Sequence, residues 1–173
     1  MPAQTACQKV LEAYARRDFA DWRGLPADCT VDEVLHVFNA QDEWIGSGNL
    51  GLDAVSANYR YCLVPSFDAP VRVWFVPKRV LQLEAEDPPD DLTTTALKSA
   101  LGEPLAKLDS YFGVALIEQN EWVYPERGIA FKTQSAGTGI TRLCVFAPTT
   151  LESYRHKIRL NVRQRPMPEA RPN

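Results

Sequence analysis

No run of apolar residues in this 173-residue chain approaches the roughly 18 needed to span a bilayer. The N-terminus lacks the basic start and unbroken apolar core of a secretory signal, because Gln4, Gln8, Lys9 and Glu12 interrupt it. Together these absences lead to the expectation of a cytoplasmic protein with no membrane anchor. Histidine is scarce: only His36 and His156 occur, and neither has a ligand-like neighbour. The four cysteines, Cys7, Cys29, Cys62 and Cys144, have no zinc-knuckle or dithiol spacing. Without an export signal they are read as reduced thiols acting as small buried hydrophobes. Walker, dinucleotide, zincin and nucleophile-elbow patterns are missing too. No catalytic residue, metal ligand or cofactor is therefore assigned. A large net charge is also lacking. The balance is −3 with a pI of about 5.4, which does not suit a dedicated nucleic-acid binder.

What is present is ordinary globular composition, 45% hydrophobic and 24% charged, at a length fitting one domain or two small halves. The charge is unevenly placed. Residues 1–150 carry a balance of −7 and residues 151–173 one of +4. Thr5 with Gln8, and Thr30 with Glu33, form capping boxes that predict helices over 6–17 and 31–38. In the first, Val10, Ala13, Tyr14 and Arg17 fall at helical spacing. The glycine-rich stretch 46–51 reads as a flexible turn. Alternating apolar residues predict strands over 59–64, 71–76 and 79–84. Residues 84–91 hold five acids and a Pro-Pro pair, read as an exposed linker. A helix over 93–101 follows, stopped by Gly102-Glu103-Pro104. Further strands are predicted over 113–119, 121–124, 128–133 and 141–147, with a turn at 135–139. A short helix starts near Thr149. Residues 157–163 alternate strictly and read as a charged edge strand.

The order of a helix followed by antiparallel strands occurs twice, which suggests internal duplication. An offset of 63 residues places Thr30 on Thr93, Val34 on Leu97, Phe38 on Leu101, Tyr59 on Trp122, Tyr61 on Tyr124 and Leu83 on Phe146. The expected fold is α+β: two pseudo-repeats, each a helix packed on an antiparallel sheet. The boundaries are an N-terminal helix and loop (1–27), a first repeat (28–83), the acidic linker (84–91), a second repeat with the C-terminal strand (92–163) and a disordered tail (164–173). The helix ending in Leu101-Gly102-Glu103-Pro104, followed by the aromatic strand Trp122-Val123-Tyr124, resembles the repeat of small bacterial α+β modules. These include the β-lactamase inhibitor protein family and the small lipoprotein subunit of the outer-membrane assembly machine. The inhibitor family is a tandem of two such units whose sheet face grips a partner protein. The resemblance implies the same use of a sheet face here, at Tyr59, Tyr61, Trp74, Trp122 and Tyr124.

Candidate chemistry is sparse. Glu118, Glu121 and Glu126 cluster beside Arg127, yet such charges usually form a solvated face. Aromatic residues and arginine are the usual anchors of protein interfaces, and Arg72 and Trp74 lie on the strand face opposite Val71, Val73 and Phe75. The expected function is non-enzymatic protein binding in the bacterial cytoplasm, as an inhibitor, immunity protein or dedicated chaperone. Its site would comprise Tyr59, Tyr61, Arg72, Trp74, Trp122, Tyr124 and Arg127, and its partner would be a protein, basic and toxin-like, drawn to the acidic body. One alternative is a small-molecule pocket between the halves, lined by Tyr59, Trp74, Tyr124 and Arg127. Another is a nucleic-acid accessory role for the basic residues 154–165.

Overall fold

The computed structural model describes residues 2–112, 114–134 and 138–160, and of residues 41–44 and 112 it describes the backbone alone. Thr5 caps helix α1, Ala6–Ala15. Its hydroxyl accepts from the Gln8 amide, and the Gln8 side chain returns to the Thr5 amide. Thr30 and Glu33 repeat this reciprocal arrangement at α2, Val31–Val37. Each cap satisfies donors that the first helical turn leaves orphaned, worth about 1 kcal/mol. The buried face of α1 is Cys7, Leu11 and Tyr14. It is rotated from the expected stripe, because Val10 and Ala13 only flank the core and Arg17 lies beyond the helix with φ of 57°.

Among the described residues the strands are β1 (Asn39–Leu50), β2 (Val55–Leu63), β3 (Val71–Val76), β4 (Arg79–Glu86), β5 (Ala106–Phe112), β6 (Ala115–Tyr124), β7 (Ile129–Thr133) and β8 (Ile140–Phe146), with α3 (Thr94–Leu101) ahead of β5. They form one antiparallel sheet in the order β1-β2-β3-β4-β8-β7-β6-β5. The α+β class holds, with sheet predominating. The last strands of the two runs, β4 and β8, meet at the centre, pairing Gln82 with Phe146 and Glu86 with Arg142. One face carries α1, α2 and α3 over the main core, which joins Leu11, Val34 and Leu97 to Val73, Leu83, Phe131 and Val145. Residues 1–27 are not a separate unit, since Phe19, Trp22 and Leu25 enter the same core.

Several expectations need correction. Residues 46–50 of the glycine-rich stretch are not a turn but the far half of β1, and only Gly51 enters the turn. Glycine weakens a strand intrinsically, and here its lack of a side chain has a use. A Cβ on Gly46 would run into the Tyr59 ring, and one on Gly48 would meet Trp74 at 3.0 Å. The rings of β2 and β3 therefore settle over bare β1 backbone. Strand β5 has no counterpart in the sequence reading. Among its described side chains the buried one is Ser110, hydrogen-bonded to Asn120 at 2.8 Å, so apolar alternation is broken. The acidic stretch 84–91 is not wholly an exposed linker. Glu84, Ala85 and Glu86 complete β4, Glu84 is 1% exposed, and Pro88 and Pro89 are buried. The 63-residue offset matches the helices, where Thr30 and Thr93 are both N-caps and Val34 and Leu97 are both buried. In the strands it joins opposite faces. Leu83 lies in the helix-side core, whereas Phe146 faces Tyr154 on the other side.

Residues 157–160, the described part of the strand expected over 157–163, are not a strand. Thr150 caps α4, Leu151–Ser153, and the chain continues as a π turn, Tyr154–Ile158. Tyr154 and Ile158, four residues apart, both turn toward the sheet face away from α1–α3, where Tyr154 stacks on Phe146 at 5.1 Å. Residues 161–163 of that expected strand, the tail 164–173 and positions 135–137 of the expected turn lie outside the described residues. The β1–β2 turn clasps this segment: Gly51 N donates to Arg159 O at 2.7 Å and Asp53 N to His156 O at 2.9 Å. Gly51 has φ of 68°, and a Cβ there would collide with the His156 carbonyl. Gly51→Ala is expected to lower stability by about 2 kcal/mol or more, through both backbone strain and loss of this clasp. A urea melt checks this, and an unchanged midpoint would show that the clasp contributes nothing.

Candidate functional site

Antiparallel pairing places directly opposed residues on one face of a sheet. Tyr59 pairs with Trp74, Tyr61 with Arg72, and Arg72 with Glu84. These side chains share the face away from α1–α3. Tyr59 lies 4.8 Å from Trp74 and 5.8 Å from Tyr61, ring centre to ring centre. The Arg72 guanidinium sits 4.8 Å from the Tyr59 ring, 5.1 Å from Tyr61 and 5.7 Å from Trp74. Such cation–π contacts are worth about 0.5–2 kcal/mol each, more as water is excluded. Four of the seven residues expected in the site are therefore brought together. Trp74 is the buried floor, and Tyr59, Tyr61 and Arg72 are half-buried above it.

The other three are elsewhere. Trp122 pairs with Phe131 and Tyr124 with Ile129, which puts both on the helix face. Tyr124 is buried there and donates to the Gly102 carbonyl at 2.9 Å; burial raises its hydroxyl pKa to about 12. Trp122 packs on Phe131 and carries the Lys107 ammonium at 4.1 Å. Arg127 fastens the N-terminal loop, donating to the carbonyls of Trp22, Phe19 and Ala20. In β2 the aromatic phase is the face away from the helices, while in β6 it is the core phase. The pocket expected between the halves is not assembled either, since its four lining residues divide between the two faces. An open groove of about 520 Å³ does run along β1–β3, lined by Ile45, Asn58, Tyr59, Arg60 and Phe75.

What the sequence reading missed is a belt of charge beside the aromatic group. Glu84 receives the Trp74 indole N–H at 2.8 Å and Arg72 Nη1 at 3.1 Å on Oε2. Its Oε1 lies 3.2 Å from Arg142 Nε, an ion pair too poorly aligned to count as a hydrogen bond. Arg142 Nη2 reaches Glu86 at 2.9 Å. Burial pulls both guanidinium pKa values down, and the adjacent carboxylates outweigh it, so both end above the ordinary value. The belt continues across the sheet through Lys132, which pairs with Arg142 on one side and Glu121 on the other. Glu121 is held by Arg159 Nη2 at 2.7 Å and by the Tyr154 hydroxyl. The signal for this belt lay in the sequence, because Arg72, Glu84, Glu86, Arg142 and Lys132 all occupy alternating strand positions. The expected exposed linker and solvated carboxylate face obscured it.

The remaining candidates do not form reactive constellations among the described residues. Glu118 and Glu126 are exposed while Glu121 is buried in the belt. His36 is exposed, and His156 contacts Asp53 at 2.9 Å. Burial pushes the Cys62 thiol up to about 12 and the Cys144 thiol higher still, the reverse of an activated nucleophile. Cys7 and Cys29, expected as thiols, are joined in a disulfide with Cα atoms 5.4 Å apart. Their sulfurs and a Glu33 oxygen lie within 4.8 Å of one another. Glu33 is already committed, accepting from Thr5 Oγ1 at 2.8 Å and from Thr30 N at 3.0 Å. No described helix is long and apolar enough to cross a membrane. Set against family models, curated proteins and solved structures, the chain matches none of them.

Proposed function

We propose that the protein is a binding module for another protein, using the sheet face around Tyr59, Tyr61 and Arg72 to occlude its partner. The observation that carries this is the convergence of these three half-buried side chains on the Trp74 floor. Tyr, Trp and Arg are the side chains that dominate interface energetics when clustered on a preformed base. Trp74, fixed by Glu84, supplies that base without needing to order on binding. The acidic body would steer a basic partner, as an inhibitor, immunity protein or dedicated chaperone requires. The arrangement of a helix followed by four strands, present twice, supports reading the two halves as pseudo-repeats of the tandem α+β type. The half-turn in strand phase means that a duplication would have diverged by slips at bulges, such as that between Trp74 and Phe75. A disulfide belongs to an oxidising compartment, so the cytoplasmic placement is not part of the proposal.

The test uses Tyr59→Ala and Tyr61→Ala, since Trp74 and Trp122 are structural and their truncation would damage the fold. Proteins retained on the immobilised wild type are identified and their affinities measured against each variant. The expected result is a partner whose Kd weakens about 30-fold or more in Tyr59→Ala, corresponding to a contribution of about 2 kcal/mol. Lys157→Ala, on the exposed side of the π turn, serves as the control that binds normally. Equal retention by wild type and both tyrosine variants would sink the proposal.

A further inference from the structure

The two edges of the sheet differ. Strand β5 is guarded in the ways usual for a solvent-facing edge. It has a bulge between Leu108 and Ser110 and exposed charges at Lys107 and Asp109. The Asp109 carbonyl is also taken, by Arg159 Nη2 at 2.6 Å. The far half of β1 has none of these devices. Residues 45–50 contain no proline and no charged side chain, and their register with β2 is unbroken. Among the described residues β1 pairs with β2 alone. Its outer side therefore presents a row of backbone N–H and C=O groups. Ile45, Ser47 and Asn49 are exposed along it, Ile45 to 67%. Pairing through Arg60 and Asn58 puts Ile45 and Ser47 on the helix-side phase of the sheet. There they line the groove of about 520 Å³ that opens beside the edge.

We propose that this edge is an interface for a second copy of the chain, with β1 pairing antiparallel to β1 about a twofold axis at Ser47. Charge decides for a second copy and for this register. Identical strands are usually kept apart by like charges meeting across the axis. Here Ser47 meets Ser47, Gly46 meets Gly48 and Ile45 meets Asn49, all uncharged. The acids of β1, Asp42 and Glu43, fall at opposite ends of the pair. Glu43 comes level with position 51 of the second copy, eight residues from that copy's own Glu43. That is about 27 Å, well beyond a screening length of about 8–10 Å. An axis on a residue also keeps odd positions opposite odd ones, so the helix-side faces stay in phase. Ile45 then lies diagonal to the second copy's Ser47, at the rim of its groove, and both isoleucines lose exposure. A twofold pairing uses up both β1 edges and closes at two copies. The Tyr59 faces of the two copies look to one side, about 14 Å apart across three strand spacings. The pairing does not depend on what those faces bind.

Sedimentation equilibrium of the full chain tests this. The mass is expected to rise from 19.4 kDa toward twice that value over roughly 5–300 µM, the range in which small interfaces assemble. Over the same range, hydrogen exchange is expected to slow at the amides of 45–50 and to stay constant at those of 106–112. Ser47→Lys sets two ammoniums against each other at the axis. It is expected to weaken dimerisation about tenfold or more, with the circular dichroism spectrum unchanged. Asn49→Lys, also exposed and one pair from the centre of that face, is expected to act the same way should Ser47→Lys disturb the fold. A mass that stays at 19.4 kDa throughout overturns the proposal. So does equal dimerisation of the wild type and the lysine variants, or protection that appears on β5 in place of β1. Growth beyond two copies would mean head-to-tail pairing of β1 with β5, and it too overturns the twofold interface.

Discussion

Glu84→Ala is expected to lower stability by about 3–5 kcal/mol, read as a fall in the urea midpoint at unchanged slope. The carboxylate is 1% exposed and stands between two guanidiniums, Arg72 at 3.1 Å and Arg142 at 3.2 Å, with the Trp74 indole N–H on the same oxygen as Arg72. Removing it leaves two largely buried cations to share the partly exposed carboxylate of Glu86, and an indole donor without its acceptor. The uncompensated charges, more than the lost contacts, set the size of the effect. Glu84→Gln keeps an acceptor for Trp74 but not the charge, and should fall between wild type and alanine. The triple replacement Arg72→Met, Glu84→Leu, Arg142→Met removes the whole ionic cluster and should recover most of the loss. If Glu84→Ala costs less than 1 kcal/mol, the cluster is solvated and the belt is not a buried network. Because Glu84 also fixes Trp74, the variant should weaken partner binding as well.

Breaking the Cys7–Cys29 disulfide should have the next largest effect. The bond joins the first turn of α1 to the residue before the Thr30 cap, closing a loop with a sequence separation of 22. Restricting a loop of that length in the unfolded chain is worth about 3 kcal/mol. Reduction, or Cys7→Ala with Cys29→Ala, should therefore lower the melting temperature by roughly 6–12 °C. The folded state should survive, because Thr5 Oγ1 still donates to Glu33 and Leu11 and Tyr14 still enter the core. Equal melting with and without reductant would show that the bond adds no stability.

Local grammar was legible where one residue decides one turn. Thr5 with Gln8 and Thr30 with Glu33 mark their helices because a hydroxyl and a carboxamide or carboxylate at that spacing satisfy specific backbone donors. Strand β3 was legible because Val71 and Val73 alternate with Arg72 and Trp74. Strand β1 was hidden because its glycines derive their meaning from Tyr59 and Trp74, which lie on other strands. The cystine was hidden because two sulfurs separated by 22 residues announce nothing until α1 and α2 are docked. The site was half legible for a related reason. Alternation shows which residues share a face of one strand, but not which face turns to the helices. Trp122 and Tyr124 look like Tyr59 and Tyr61 in sequence, and the packing of α3 and Phe131 sends them the opposite way. The charge belt required the register between β4, β8, β7 and β6, which no single strand contains.

The central pairing of β4 with β8 bears on how the chain comes into being. Strand β4 is finished at Glu86, but its partner is not synthesised until Ile140–Phe146. During translation the first four strands can form a meander whose β4 edge presents unpaired N–H and C=O groups, with Glu84 still without Arg142. An edge of that kind is a template for pairing with another chain. The emerging half-protein therefore passes through a sticky interval of some 60 residues of synthesis, several seconds at ordinary elongation rates of about 5–20 residues per second. The buried carboxylate on that edge disfavours mispairing with any strand that does not bring a cation to meet it. The same ionic cluster that holds the finished sheet together thus discriminates, while the chain is incomplete, between the correct neighbour and an accidental one.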